Sequence, residues 1–281
     1  MAALLTCETD PLTGKTTLAL VDNDELFAAS FDQYAQFISE NTVITGTNDA
    51  KMVEDMGKKI SEAAQRWYTY IGKPNYLKDY KWEYHLVKDD QINAWCLPGG
   101  KIVVYTGILP VTQNEDALAT VMGHEVAHAL LNHGKQRVSV GFLQQLGLAA
   151  AGLATSLAGA NEETQSLFLA ALGVGSTLAV ALPFSRDNES EADHYGLILM
   201  AIAGYNPEES VPFWERMAQG REDNKLDEFL STHPSPATRI KDLRDKSIPE
   251  AKRKAAKLHL DPLKKESILK AKKIAAEINN Q

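Results

Sequence analysis

Apolar residues recur at helical spacing along most of the chain, and two short segments break that pattern. The helical period predicts helices over residues 24–40, 49–71, 114–132, 187–203 and 207–219, with another from about residue 237. Residues 82–87 and 101–105 are rich in β-branched and aromatic side chains and predict strands. Residues 8–23 are polar and rich in turn formers. The pattern is that of a mostly helical α+β protein.

Between the two predicted strands, residues 93–100 read Asn-Ala-Trp-Cys-Leu-Pro-Gly-Gly. A proline is tolerated in a sheet only at its edge or where a strand ends, and the two glycines favour a turn. We therefore predict an edge strand followed by a turn.

Residues 138–184 contain two apolar stretches, about 138–160 and 167–184, around a polar segment. The second stretch carries no charged residue and approaches the length that crosses a bilayer. Two interpretations stay open. One is a hairpin that spans or dips into a membrane, and the other is a helical hairpin that packs on the rest of the protein. The many small residues fit close helix packing in either setting.

Charge and cysteine content narrow the function classes. With 29 Lys+Arg against 37 Asp+Glu, the net charge is −8, which argues against binding to a nucleic-acid backbone. Two cysteines cannot form a disulfide framework. Cys7 follows a short apolar run, as at the end of a bacterial lipoprotein signal, although no basic segment precedes that run. The alternative is an apolar N-terminus without a lipid.

The strongest chemical signal is His124-Glu125-Val126-Ala127-His128, which fits H-E-x-x-H inside a predicted helix. Residues four apart lie on one face of a helix, so both imidazoles can reach one ion. Glu125 points beside that face and can act on water without binding the metal. This set is typical of a zinc peptidase with two histidine ligands and a glutamate general base. We therefore predict one Zn²⁺ per chain.

Such a site needs a third protein ligand and keeps one position for water. One branch of zinc peptidases extends the motif with glycine at position 131 and histidine at position 134. This chain has Leu131 and Gly134 there, which excludes that branch. His133 falls one position off, and we expect it on another part of the helix in a supporting or structural role.

A glutamate on a later helix is the other common solution. Glu189 and Asp193 are four apart on one face of a predicted helix. Glu189 can bind the metal there, while Asp193 can accept the other N–H of a ligand histidine. Glu191 faces elsewhere. The alternative for these acids is an ordinary solvated helix face.

Three separated motifs together resemble the M48 family of zinc metallopeptidases. They are residues 124–128, the Ser-Arg…Glu…Ala-Asp segment of 185–193, and Thr-His-Pro-Ser-Pro…Arg of 232–239. The resemblance covers roughly residues 10–245. It implies a zincin-like core, with a small antiparallel or mixed sheet beside the H-E-x-x-H helix. It also implies that Glu189 is the third zinc ligand and that Asp193 supports a ligand.

The resemblance assigns further roles. It implies that Asn93 and Ala94 lie on an edge strand beside the cleft, where an extended substrate binds through main-chain hydrogen bonds. It also implies that His233 and Arg239 approach the zinc and stabilise the oxyanion. Within the family, the chain resembles the minimal envelope members that carry no repeats.

Together these features predict a zinc-dependent metalloendopeptidase in cell-envelope protein quality control, located in the periplasm. We expect its partners to be polypeptides, especially misfolded or membrane-associated proteins, and not nucleic acid. Membrane association would use a lipid on Cys7 or the 138–184 hairpin. We divide the chain into an N-terminal segment 1–23, which includes the candidate lipoprotein start, a peptidase domain 24–245 and a basic helical tail 246–281.

One alternative function stays open. In it the protein is a chaperone-like or binding protein of the envelope whose zinc is structural. Structural zinc sites are closed by four protein ligands. His233 would then be the permanent fourth ligand.

Overall fold

The structure, a computed structural model, describes residues 7–150, 184–219, 229, 232–233 and 238–259. Helices dominate within these residues and surround a small mixed sheet, which confirms the predicted α+β class. The first six residues, residues 151–183 of the predicted apolar hairpin and the tail beyond residue 259 lie outside the described residues.

Two short strands at the start of the described chain form a separate hairpin. Strand β1 (Cys7–Thr9) pairs antiparallel with β2 (Thr16–Leu18). The sequence predicted only a turn-rich segment here, because three-residue strands are too short to show alternation. Asp10 closes the turn by accepting hydrogen bonds from the Leu12 and Thr13 amides.

Helices form over each segment where the apolar spacing predicts one, whereas the short helix Leu109–Thr112 and the start of a helix at His133 were not predicted. Their N-termini are capped by Thr47, Asn114 and Ser185, whose side chains accept hydrogen bonds from backbone amides of the first turn. The helices are α1 Asn23–Glu40, α2 Asn48–Tyr70, α3 Leu109–Thr112, α4 Glu115–Leu130, α5 His133–Ala150, α6 Arg186–Ile202, α7 Ser210–Gln219 and α8 Arg239–Asp242. Single turns of 3₁₀-helix precede α3 and α7, and a π-helical turn, Leu243–Ser247, joins α8 to helical residues 248–259.

The main sheet has four strands in the order β3-β4-β6-β5. They are β3 (Val43–Ile44), β4 (Glu83–Val87), β5 (Ala94–Leu97) and β6 (Lys101–Tyr105). β4 and β6 are parallel and the other pairs are antiparallel. β5 therefore lies at one edge, as predicted, and this edge faces helix α4.

Helix α4 carries the H-E-x-x-H motif and is enclosed by the sheet, α2 and α6, so that every residue from Ala117 to Leu130 is buried. Its burial on all sides fixes the direction of the motif side chains. The helix ends before Asn132, which has a φ of 55°. That left-handed residue turns the chain, so His133 begins a new helix instead of continuing α4.

The C-terminal described residues also contribute to the core. Ile248, Ala251, Ala255 and Leu258 are buried in the same hydrophobic cluster as α4 and α6. Within the ranges that the structure describes, no helix combines the length and the apolar character needed to cross a bilayer. The prediction of an apolar hairpin stays untested, because most of that segment lies outside these ranges.

Candidate metal centre

Four buried side chains from three parts of the chain converge on one point. His124 and His128 project from α4, Glu189 from the first turn of α6, and His233 from the segment that follows Phe229. One nitrogen or oxygen from each lies within 4.8 Å of the corresponding atoms of the other three. These four residues are at most 4% exposed, so they are shielded from bulk water.

The spacing of these atoms fits a tetrahedral metal ion. The two Nε2 atoms of His124 and His128 are 3.0 Å apart, and they lie 3.4 and 3.3 Å from the nearer Glu189 carboxylate oxygens. Ligand atoms at 2.0–2.1 Å from a tetrahedral zinc are about 3.3–3.4 Å from one another. Two imidazoles and a carboxylate are also the donor set of many catalytic zinc sites.

His233 approaches the fourth position of this tetrahedron. Its Nδ1 lies 3.4 Å from His124 Nε2 and 3.1 Å from Glu189 Oε1. Its ring stacks on Phe229 at 4.7 Å between centroids. The structure therefore brings His233 to the same cluster as His124, His128 and Glu189.

The carboxylate of Glu189 is held in its ionised form. Burial would raise its pKa, but the His233 imidazole and the hydrogen bonds with His124 and His128 outweigh burial and hold the pKa well below its usual value. For His124, burial alone would lower the pKa, whereas hydrogen bonds with Asp193 and Glu189 raise it to about 10. Burial lowers the pKa of His128 well below its usual value, so this ring is neutral and its nitrogen can bind a cation next to the ionised Glu189.

Asp193 and Arg239 lie behind the cluster. Asp193 Oδ1 is 3.0 Å from His124 Nδ1, so it accepts the N–H on the side of the ring away from the metal position. Arg239 donates from Nε to Asp193 over 2.6 Å and from Nη2 to Glu189 over 2.9 Å. Its guanidinium also lies 3.8 Å from the centroid of the Trp214 ring. Two of its donors are therefore committed to carboxylates that face the cluster.

Glu125 lies beside the ligands but is not one of the clustered residues. Its Oε1 is 3.8 Å from His233 Nε2 and has no hydrogen-bond partner among the described residues. Burial raises the pKa of its carboxyl group. A buried carboxylate oxygen without a donor, next to a metal position, suits a group that accepts a proton from water.

A narrow cavity of about 40 Å³ separates β5 from the cluster, which is room for one or two water molecules. It is lined by Asn93, Ala94, Trp95, Cys96, Leu97, Glu125, His128, Arg137, Phe184, Thr232 and His233. A larger cleft of about 590 Å³ lies between β4 and the start of α2 and touches none of the predicted site residues. Candidate catalytic and metal-binding residues such as Glu125 and His128 therefore line the small cavity and not the larger cleft.

The register of β5 decides which backbone groups face the cavity edge. The Tyr105 amide donates to the Asn93 carbonyl over 3.1 Å, and Ala94 is opposite Val104. Because hydrogen-bonding residues alternate along an antiparallel pair, the N–H and C=O of Ala94 point away from β6. The Ala94 amide donates instead to Asn93 Oδ1 over 2.8 Å.

Several residues around the cluster were missed from the sequence. Phe184 stacks on His128 at 4.0 Å between centroids, and Trp214 lies edge-on to His124 at 5.9 Å. Neither has a spacing signal that links it to the motif. His133 was expected on another part of the motif helix, but the turn at Asn132 brings its Nδ1 to 2.9 Å from His128 Nδ1. That part of the prediction was wrong, whereas Glu191 is not one of the clustered residues.

The mixed sheet, the buried H-E-x-x-H helix and the distant glutamate define a zincin-type metal centre. The chain belongs to peptidase family M48, whose family profile matches residues 58–247.

Individual relatives agree with the family. The mitochondrial metalloendopeptidase OMA1 of Schizosaccharomyces pombe is 39% identical over 62% of this chain and 49% of its own length. Human metalloendopeptidase OMA1 is 30% identical over 87% of this chain and 46% of its own length. The β-barrel assembly-enhancing protease of Yersinia pestis is 31% identical over 58% of this chain and 34% of its own length. The chain thus spans about a third to a half of the length of these relatives.

Proposed function

We propose that the protein is a zinc-dependent metalloendopeptidase that hydrolyses peptide bonds in polypeptides. The observation that carries the proposal is the position of Glu125, whose buried carboxylate lies beside a tetrahedral set of His124, His128 and Glu189. The names of the relatives support the same class of activity, since each is a metalloendopeptidase or protease.

His124 Nε2, His128 Nε2 and a Glu189 oxygen would hold one Zn²⁺ in this arrangement. When bound, zinc lowers the pKa of water and polarises a peptide carbonyl. Glu125 Oε1 accepts a proton from the attacking water and donates it afterwards to the leaving amide nitrogen. The raised pKa of Glu125 favours the first step, because a more basic carboxylate is a better acceptor of the proton from water.

The open edge of β5 would bind the substrate. An extended peptide that adds to this edge exchanges hydrogen bonds with the outward N–H and C=O of Ala94. Asn93 Oδ1 accepts from the Ala94 amide, so the incoming strand must displace the Asn93 side chain to use this donor. Asn93 and Ala94 thereby align the peptide beside Glu125.

His233 would stabilise the oxyanion that develops on the peptide carbonyl. Its Nε2 points toward Glu125, on the cavity side of the cluster. Arg239, which is committed to Glu189 and Asp193, would act by holding these carboxylates in place and by adding a positive field behind the ligands.

Cleavage of an unfolded polypeptide such as casein tests the proposal. The wild-type protein should cleave casein, a chelator should abolish cleavage, and added zinc should restore it. Glu125→Gln should retain about one zinc per chain and lose cleavage, since only the proton acceptor is removed. Glu125→Gln protein that cleaves casein at the wild-type rate would refute the role of Glu125.

A second candidate rests on His233 alone. If Nδ1 of His233 is a permanent fourth ligand, the zinc is closed and structural, and the protein binds other chains without cutting them. The wild-type protein would then keep its zinc but cleave neither casein nor a peptide library. Cleavage that requires zinc excludes this candidate.

We also propose that the enzyme works in the cell envelope, on misfolded or membrane-associated proteins. Cys7 is exposed and unpaired at the start of β1, so it is accessible to a lipid, and the apolar residues of 138–184 offer a second route to a membrane. Mass spectrometry of the native protein tests the first route. An unmodified Cys7 would leave the apolar segment as the only proposed anchor.

A further inference from the structure

Each histidine ligand from α4 has a ring nitrogen that faces away from the metal position, and each of these nitrogens has a partner. For His124 the partner is Asp193, which is held in turn by Arg239. This network of contacts ends at the buried guanidinium group of Arg239.

The partner of His128 is a second imidazole. His128 Nδ1 is 2.9 Å from His133 Nδ1, and His133 Nε2 is 3.2 Å from Glu191 Oε2. The other oxygen of Glu191 contacts the ammonium group of Lys15, in the turn of the N-terminal hairpin of residues 7–18. His133 is 1% exposed, whereas Lys15 reaches the surface. This network of side-chain contacts therefore extends from the metal position to the protein surface.

We infer that His133 is a positioning residue that fixes the orientation and tautomer of His128, and that Glu191 and Lys15 hold His133 in that role. The inference rests on the proposed metal site. It adds that the N-terminal hairpin, outside the matched region of residues 58–247, helps to build the site.

The imidazole protons of His128 and His133 have one arrangement that is consistent with metal binding. His128 binds the metal through Nε2, so its remaining proton is on Nδ1 and is donated to His133. His133 Nδ1 is then an acceptor, and its own proton must be on Nε2, where it is donated to Glu191 Oε2. The carboxylate of Glu191 is the terminal acceptor, and Lys15 stabilises its negative charge. Reversing any one bond would place two donors or two acceptors face to face.

The two hydrogen-bond networks act differently on the two histidine ligands. Asp193 places a carboxylate directly on His124, whereas a neutral imidazole separates Glu191 from His128. A direct carboxylate makes a ligand histidine more basic than a neutral acceptor does. His133 thus orients the His128 ring without placing a carboxylate directly against it, as Asp193 does for His124. The network behind His128 also depends on the position of the N-terminal hairpin, because Lys15 contacts Glu191 from the turn of that hairpin.

Zinc affinity in competition with a chromophoric chelator tests the role of His133. In His133→Phe an aromatic ring stays but the acceptor is lost, and we expect zinc affinity to fall about 10- to 100-fold. His133→Gln keeps an acceptor oxygen and should recover part of that loss. In zinc-loaded wild-type protein, the His128 Nδ1–H should give an NMR signal protected from solvent exchange, and His133→Phe should remove this protection. Wild-type affinity and a protected signal in His133→Phe would overturn the inference.

A substitution of the exposed Lys15 tests whether the hairpin supports the metal site, and it leaves the buried residues unchanged. Lys15→Ala should weaken zinc binding about two- to fivefold, as expected for the loss of an exposed ion pair, and Lys15→Arg should restore it. Lys51→Ala is the matched control, since Lys51 is similarly exposed and ion-paired to Asp55 on α2, and it should not change zinc affinity. Equal zinc affinities in Lys15→Ala, Lys51→Ala and wild type would refute the link to the hairpin.

Both readouts are metal binding, so they are independent of peptide cleavage. A wild-type protein that binds zinc without cleaving peptides would refute the proposed function and leave the positioning role measurable. A wild-type protein that binds no zinc would refute both.

Discussion

Gly123 of α4 lies directly against Gly196 of α6. A Cβ built on Gly123 would lie 2.6 Å from the Gly196 carbonyl oxygen, and a Cβ on Gly196 would lie 2.7 Å from the His124 amide nitrogen. Backbone meets backbone at this crossing, so neither helix can move aside for a methyl group. The contact brings the helix of His124 close enough to the helix of Glu189 for the two side chains to share one ion.

Gly196→Ala should therefore weaken both the fold and the metal site. We expect a loss of about 1–3 kcal/mol in the free energy of unfolding, because the added methyl group overpacks a contact made by backbone. Zinc affinity should fall as well, since the two helices must separate. Urea unfolding of the metal-free protein and chelator competition measure the two effects.

Gly141→Ala is the matched control for this substitution. Gly141 is also helical, and no described atom lies within 4 Å of a Cβ built there. Alanine has the higher helix propensity, so the control should be neutral or stabilising by up to about 1 kcal/mol. Equal stabilities of the two variants would show that the glycine crossing does not set the distance between the helices.

Asp193→Asn should lower zinc affinity about 10- to 100-fold without unfolding the protein. Asparagine can still accept the His124 proton, but it removes the negative charge that Arg239 and His124 share. Asp187→Asn, on the exposed first turn of the same helix, is the control and should bind zinc as the wild type does. Identical affinities in both variants would contradict the supporting role of Asp193.

His233→Ala should keep its zinc and lose about 10²- to 10³-fold in kcat, with a smaller change in KM. Three ligands remain in this variant, so the metal stays, while the group that we propose for the oxyanion is gone. Steady-state kinetics together with zinc content separate the two roles of His233. Faster cleavage by His233→Ala would indicate a blocking ligand, and loss of the zinc would indicate a structural one.

The local parts of the site could be predicted from the sequence. His124 and His128 are four apart on one helix, so their convergence follows from helix geometry alone. The edge position of β5 followed from the proline and glycines after it. Glu189 is 65 residues from His124, and only the family resemblance selected it over an ordinary exposed acid.

Other contacts depend on features that no periodicity reveals. The left-handed φ of Asn132 redirects His133 toward His128, and asparagine adopts this conformation often but not always. The pairing of Lys15 with Glu191 depends on how a hairpin of two three-residue strands docks on α6. Such tertiary contacts follow from packing, which the spacing of residues along the chain does not record.

Zinc content combined with X-ray absorption at the zinc edge tests most directly whether His124, His128 and Glu189 form one metal site. We predict one zinc per wild-type chain, with nitrogen and oxygen ligands at about 2.0–2.1 Å. Glu189→Ala should lose that zinc while retaining its helical content. A wild-type chain that binds no zinc, or a Glu189→Ala chain that keeps a full equivalent, would contradict the assignment.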